Sequence, residues 1–245
     1  MSTAVEELIR AAAGLRDDAE KFARRMEEEG IADCVYNPLN YAWEIHEEFI
    51  RISGHLGAKT ILLGMNPGPH GMGQMGIPFA ATSVVRDLLG ISGFVVRQPA
   101  NPHPNRPVNG LKHPKEEVSG TRLWGLLEER YGDKTQIFRN VFVINHCPLM
   151  ILGGHRGVNI TPNNIGGPVV SGLLERCDQH LRDAIIALGA DEVIGIGKYA
   201  EKRAQSALKG MGVRLKSCWH PSPASPLANR NEGADWRENV SLVLP

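Results

Sequence analysis

Apolar residues return at helical spacing through residues 4–26 (Val5, Leu8, Ile9, Ala12, Leu15, Ala19, Phe22, Met26), and Gly30 follows as a natural stop. A second helix is predicted over residues 41–53. Four strand-like runs come next: KTILLGM (59–65), NVFVINHC (140–147), DEVIGIG (191–197) and VRLKSCW (213–219). The first three are almost continuously apolar, as strands buried on both faces are. Helical patterns lie near 82–90, 120–130, 169–188 and 198–209, so strand and helix alternate. This predicts an α/β fold with a mostly parallel sheet covered on both faces.

The proline-rich segment 97–120 carries prolines at 99, 102, 104, 107 and 114, which exclude regular structure there. The sheet pattern resumes after it, so it reads as an ordered excursion and not as a linker. One domain over residues 1–245 is expected, with residues 1–30 forming an amphipathic helix packed on it. Lys+Arg and Asp+Glu are both 27, yet the charge is uneven. Residues 1–50 hold five basic and twelve acidic side chains, net −7. The remainder is basic, with Lys198, Lys202, Arg203, Lys209, Arg214, Lys216 and Arg230 close in sequence. Those charges fit either a solvated surface or a nucleic-acid footprint. The four cysteines, at 34, 147, 177 and 218, lack metal-site spacing and read as reduced structural thiols. With no apolar signal core and no run near the roughly 20 apolar residues of a membrane span, a soluble intracellular protein is expected.

Parallel sheets bind ligands beyond the carboxyl ends of their strands. The loops there read NPGPHGMGQMGIPF, NHCPL, GKYAEK and HPSPASP. None has phosphate-loop spacing, and Pro67, Pro69 and Pro78 remove backbone donors a phosphate cradle would use. No G-x-S-x-G elbow is present, and no Asp or Glu occupies the first, second or fourth loop, which speaks against paired-carboxylate hydrolysis. What remains is neutral: Asn66 and Asn145 directly after buried strands, Phe79, thioethers and one imidazole. Each has a plain alternative: Asn66 as a turn-former, Asn145 as a strand cap, Phe79 as core. Together they favour a pocket for a planar polar ring.

GMNPGPHGMGQMGIPF and HPSPASP resemble the two motifs of the single-strand-selective monofunctional uracil-DNA glycosylases. YNPLNYAWE, SVVRDLLGISG, NRPVNGLKHPKEEVSGTRLWG, NHCPL and NITP also resemble that family, in order, over roughly residues 33–231. The resemblance implies a three-layer α/β/α fold with a four-stranded central sheet, and hydrolytic excision of uracil from DNA after base flipping. It implies that Asn66 positions the attacking water, His220 stabilises charge on the leaving uracil, Phe79 stacks on the base and Asn145 reads its edge. Gly68 and Met72 would lie near C5, with Gly68 leaving room for 5-hydroxymethyluracil.

Ser222, Pro223, Ala224 and Ser225 would form the DNA-contacting loop. Ala224 replaces the arginine that commonly wedges into the duplex gap, leaving Leu227 or Arg230 as substitutes and single-stranded DNA as the preferred substrate. His70 stands where an aromatic such as Phe is usual, and Met75, expected to soften the pocket wall, where Thr is usual. No cofactor, metal or membrane partner is implied, and a monomer is expected, in a bacterial cytoplasm or nucleoid or a eukaryotic nucleus. The alternatives are a relative shifted toward hypoxanthine or xanthine, and a silent nucleic-acid binder.

Overall fold

The computed structural model describes residues 3–245; Met1 and Ser2 of the expected domain lie outside the described residues. The strands are β1 (Cys34–Tyr36), β2 (Thr60–Gly64), β3 (Val141–Asn145), β4 (Met150–Gly153), β5 (Val158–Ile160), β6 (Glu192–Ile196) and β7 (Arg214–Cys218). The α-helices are α1 (Ala4–Glu28), α2 (Pro38–Tyr41), α3 (Trp43–Ser53), α4 (Met72–Met75), α5 (Val118–Tyr131), α6 (Lys134–Asn140), α7 (Pro168–Leu188), α8 (Lys198–Ala207), α9 (Pro226–Asn229) and α10 (Ala234–Ser241).

β3, β2, β6 and β7 form one parallel sheet in that order. Side chains alternate along each strand, which builds two cores. Ile61, Leu63, Phe142, Ile144 and Val193 pack on one face with α1, α7 and α8. Leu62, Val141, Val143, Ile194 and Ile196 pack on the other, with Phe49, Leu123, Trp124, Phe138 and Trp236. The three α/β/α layers follow from the two-sided apolar strands. At the sheet edge, β7 is partly exposed and carries Arg214 and Lys216, whose charges discourage further pairing and reach the buried Glu192 of β6 at 3.5 and 3.0 Å.

Helix α1 starts on a capping box, the Thr3 hydroxyl accepting from Glu6 N–H while the Glu6 carboxylate accepts from Thr3 N–H. It buries Leu8, Ala12, Leu15, Ala19, Ala23 and Met26, the expected stripe extended by Ala23. Three details go beyond the sequence reading. Residues 82–88 are helical, as the pattern near 82–90 requires, but Val84–Leu88 form a π-helical turn, with Leu89 N–H bonded to Val84 O and Gly90 stopping it in the left-handed region. Residues 38–53 fold as two helices, α2 and α3. A small antiparallel sheet, β1-β4-β5, was not anticipated; its strands of three or four residues are too short to show periodicity. The proline-rich excursion is irregular apart from a turn at Gly110–Lys112 and the start of α5. All four cysteines are buried thiols. Among the described residues no helix is long and apolar enough to cross a membrane.

Candidate active site

A cavity of about 190 Å³ opens where β2, β3 and β7 end. Gly64 closes β2 opposite Asn145, the last residue of β3. Its lack of a side chain decides the local packing: a Cβ there would meet Asn145 Oδ1 at 2.1 Å and the Phe79 ring at 2.5 Å. Asn145 and Phe79 therefore converge over the end of β2. Asn145 donates from Nδ2 to Met72 Sδ at 3.2 Å, a weak acceptor that leaves the second amide hydrogen to the cavity. Behind it, His146 is held between Asp178 (2.8 Å) and the Tyr199 hydroxyl (2.9 Å), and Arg203 closes the network on Asp178 at 2.6 Å. That polar cluster fixes the backbone that carries Asn145.

Phe79 has φ 54, in the left-handed region where a bulky residue is strained by about 1 to 3 kcal/mol. The start of α5 presses on it: a Cβ at Gly120 would come within 2.2 Å of Phe79 O. The ring faces His220, with centroids 5.9 Å apart and planes at 40°.

His220 follows β7 and sits against Gly197, the N-cap of α8. Its Nδ1 accepts from Ser222 N–H at 3.1 Å. That bond places the ring proton on Nε2. Burial lowers the imidazole pKa to about 4, so His220 is neutral at ordinary pH, a donor through Nε2–H.

Asn66 lies two residues past the end of β2, and its Nδ2 donates to Asn159 Oδ1 at 3.3 Å. Asn159 Nδ2 donates in turn to Pro67 O at 2.9 Å. Asn159, on β5, was not singled out by sequence, because the NITP segment became part of the site only through the small sheet.

Asn66, Gly68, Met72, Phe79, Asn145, His220 and Ser222 all line this cavity. Pro223, Ala224, Ser225, Leu227 and Arg230 do not. They form the adjoining loop and α9, where Ser222 Oγ accepts from Ala224 N–H and Ser222 O from Ser225 N–H. Pro223 and Ala224 are exposed, Leu227 is 38% exposed, and Arg230 is paired with Asp235 at 3.3 Å.

Two readings of the pocket change. Glu117, at the N-cap of α5, lines the cavity, so the site is not built from neutral groups alone. Burial raises its carboxyl pKa, opposed by hydrogen bonds from the backbone N–H groups of Ser119 and His70. The space expected to stand open at Gly68 faces that carboxylate. The first, second and fourth strand-end loops contain no acid; Glu117 arrives from the excursion, and the only sequence signal was an acid directly before a helix. Met75 is fully buried in the core and does not line the cavity, while His70 stacks on His113 at 5.1 Å.

The basic run is no single patch. Arg203, Arg214, Lys216 and Arg230 are ion-paired, while Lys198 and Lys202 line a separate groove beside Asn163.

A profile of the uracil DNA glycosylase superfamily matches residues 53–239. The single-strand selective monofunctional uracil DNA glycosylase of Bos taurus is 41% identical over 220 residues, 89% of this chain and 80% of its own. The Rattus norvegicus counterpart is 42% identical over 208 residues, 84% of this chain and 74% of its own. In overall shape the chain is similar to wild-type Pedobacter heparinus SMUG2, with TM-score 0.60 at 16% identity over 85% of this chain and 84% of that one.

Proposed function

The chain belongs to the uracil DNA glycosylase superfamily, and on that premise we propose that it is a monofunctional uracil-DNA glycosylase. It is a hydrolase that removes uracil from DNA and so begins base excision repair. The observation that carries this reading is the convergence of Asn66, Phe79, Asn145 and His220 on one cavity at the carboxyl ends of a parallel sheet.

The chemistry follows from those groups. The base leaves the stack, at a cost of a few kcal/mol that is least for single strands, and lies against Phe79. The C1′–N1 bond breaks, its electron pair passing to the uracil ring. Water adds its oxygen to C1′ and its proton is released. Neutral His220 donates from Nε2–H to the carbonyl where negative charge grows, a bond preorganised by the Ser222 N–H that fixes the ring. Asn66 holds the water but cannot take its proton as a carboxylate could, so leaving-group stabilisation dominates. Asn145 offers one amide acceptor and one donor, matching N3–H and O4 of uracil. Cytosine reverses both, and each mismatched buried group costs about 1 to 3 kcal/mol.

We read 5-hydroxymethyluracil as a further substrate, on the small residue at 68 and on the Glu117 carboxylate that faces it, the tip of a flexible side chain that can yield to a 5-substituent. Single-stranded DNA is preferred, on the small residue at 224. Incubation with single- and double-stranded oligonucleotides containing uracil or 5-hydroxymethyluracil, then alkaline cleavage at abasic sites, tests all three statements. An uncleaved uracil single strand would refute the main reading; release of uracil alone would refute the wider substrate range.

A further inference from the structure

An asparagine that holds a nucleophilic water must present the right end of its amide. If the water donates to the amide oxygen, its lone pairs stay free to attack. If it accepts from the NH₂ group, a lone pair is occupied and the oxygen is poorer in electrons. The two ends of an isolated side-chain amide differ little in shape, so hydrogen-bond partners must decide between them.

We infer that Asn159 makes this choice for Asn66 and is a positioning residue for the reaction. The logic starts at Pro67, whose carbonyl oxygen can only accept. Asn159 must therefore turn its NH₂ toward it, and does so at 2.9 Å. This leaves Asn159 Oδ1 on the other side, where it can only accept. Asn66 answers with Nδ2 at 3.3 Å, which leaves Asn66 Oδ1, met by no donor among the described residues, as the group available to a water. A flip of either amide would set oxygen against oxygen or NH₂ against NH₂. Asn159 is itself anchored, since β5 pairs with β4 and sets it opposite Leu152. The small antiparallel sheet thus serves as the mount from which one amide is held in one orientation.

The inference rests on the reading of Asn66 as the water-holding group, and the experiment separates the two. Single-turnover excision of uracil from a single-stranded oligonucleotide, at saturating protein, is measured for Asn159→Leu, Asn66→Ala and the double variant. Asn159→Leu is expected to slow excision roughly 10- to 100-fold, the scale of a misplaced reacting group, without changing the protein concentration at half-saturation. In the Asn66→Ala background the same change should have less than about a twofold effect, because the two act as a unit. Asn159→Asp keeps the acceptor for Asn66 Nδ2 and loses the donor to Pro67. It should stay closer to the parent than Asn159→Leu does, which a simple tie between β5 and the loop would not produce. Equal slowing by Asn159→Leu in both backgrounds, or equal slowing by Leu and Asp, overturns the inference. Asn66→Ala leaving the rate unchanged overturns the reading of Asn66, and the inference with it, by a separate sign.

Discussion

Glu117 Oε2 lies where a side chain at residue 68 would begin: a Cβ built on Gly68 comes within 2.5 Å of it. Loop and helix start share that space, so the glycine and the acid are one design. The carboxylate is the tip of a flexible side chain and can yield, so Gly68→Ala should change stability by less than about 1 kcal/mol. Ionising Glu117 is costlier in the folded state than in the unfolded one, because burial raises its pKa. Its contribution to stability is therefore full below the ordinary carboxyl range and is lost as pH rises through the raised value. Glu117→Gln should melt higher than the parent at pH 8 and show a smaller gain at pH 4. Thermal melts at both pH values check this; an equal gain at both would refute it.

His220 is held as a neutral donor with its pKa near 4. Single-turnover excision should then cross pH 6.5 without a histidine inflection, since the ring already carries its working protonation from pH 8 down to about 5. His220→Ala should reduce the rate by about 10²- to 10³-fold, as loss of a preorganised donor to a developing anion does. The depressed pKa also sets a stability window. The folded state resists protonating this ring, so stability present above pH 6.5 is lost as pH falls toward about 4, and His220→Ala should lose less across that interval.

Gly64 is irreplaceable for packing reasons. A Cβ there would overlap Asn145 Oδ1 at 2.1 Å and Phe79 at 2.5 Å, and both partners are themselves buried. Gly64→Ala should cost about 1 to 3 kcal/mol of stability from overpacking. Excision should fall at least about 100-fold, because both side chains proposed to contact the base shift together. Denaturant unfolding and excision assays on the same preparation separate the two losses.

Ala224 is exposed on the loop after His220, Arg230 is engaged by Asp235, and Arg122 is engaged by Pro221 O, Ala228 O and Asn229 Oδ1. Leu227 is the exposed apolar side chain beside it, the kind that kinking proteins insert between bases. Ala224→Arg should raise excision from duplex DNA selectively, narrowing the ratio of single-strand to duplex rates. Leu227→Ala should widen it. Rates on matched oligonucleotides decide, and an unchanged ratio for both variants would assign duplex handling elsewhere.

Three of the four main strands, β2, β3 and β6, were legible because strands buried on both faces need continuous apolar runs, and Asn66, Asn145 and His220 because each lies at or within two residues of the end of a main strand. Other features had no local signature. β5 is only three residues long and partly polar, so Asn159 could not be placed. Glu117 belongs to an excursion whose return to the cavity is a tertiary event. The left-handed backbone of Phe79 lies where Gly120, distant in sequence, packs against its carbonyl, a tertiary contact with no local signature. Helix α10 buries only Trp236 and Val240, too few for a visible period.

Cys34, Cys147, Cys177 and Cys218 are all buried. A maleimide dye offered to the native protein therefore meets no accessible sulfur of its own. A single cysteine introduced at position 224 would be the one exposed thiol, placing a fluorophore beside the mouth of the cavity to report each encounter with a DNA strand in real time.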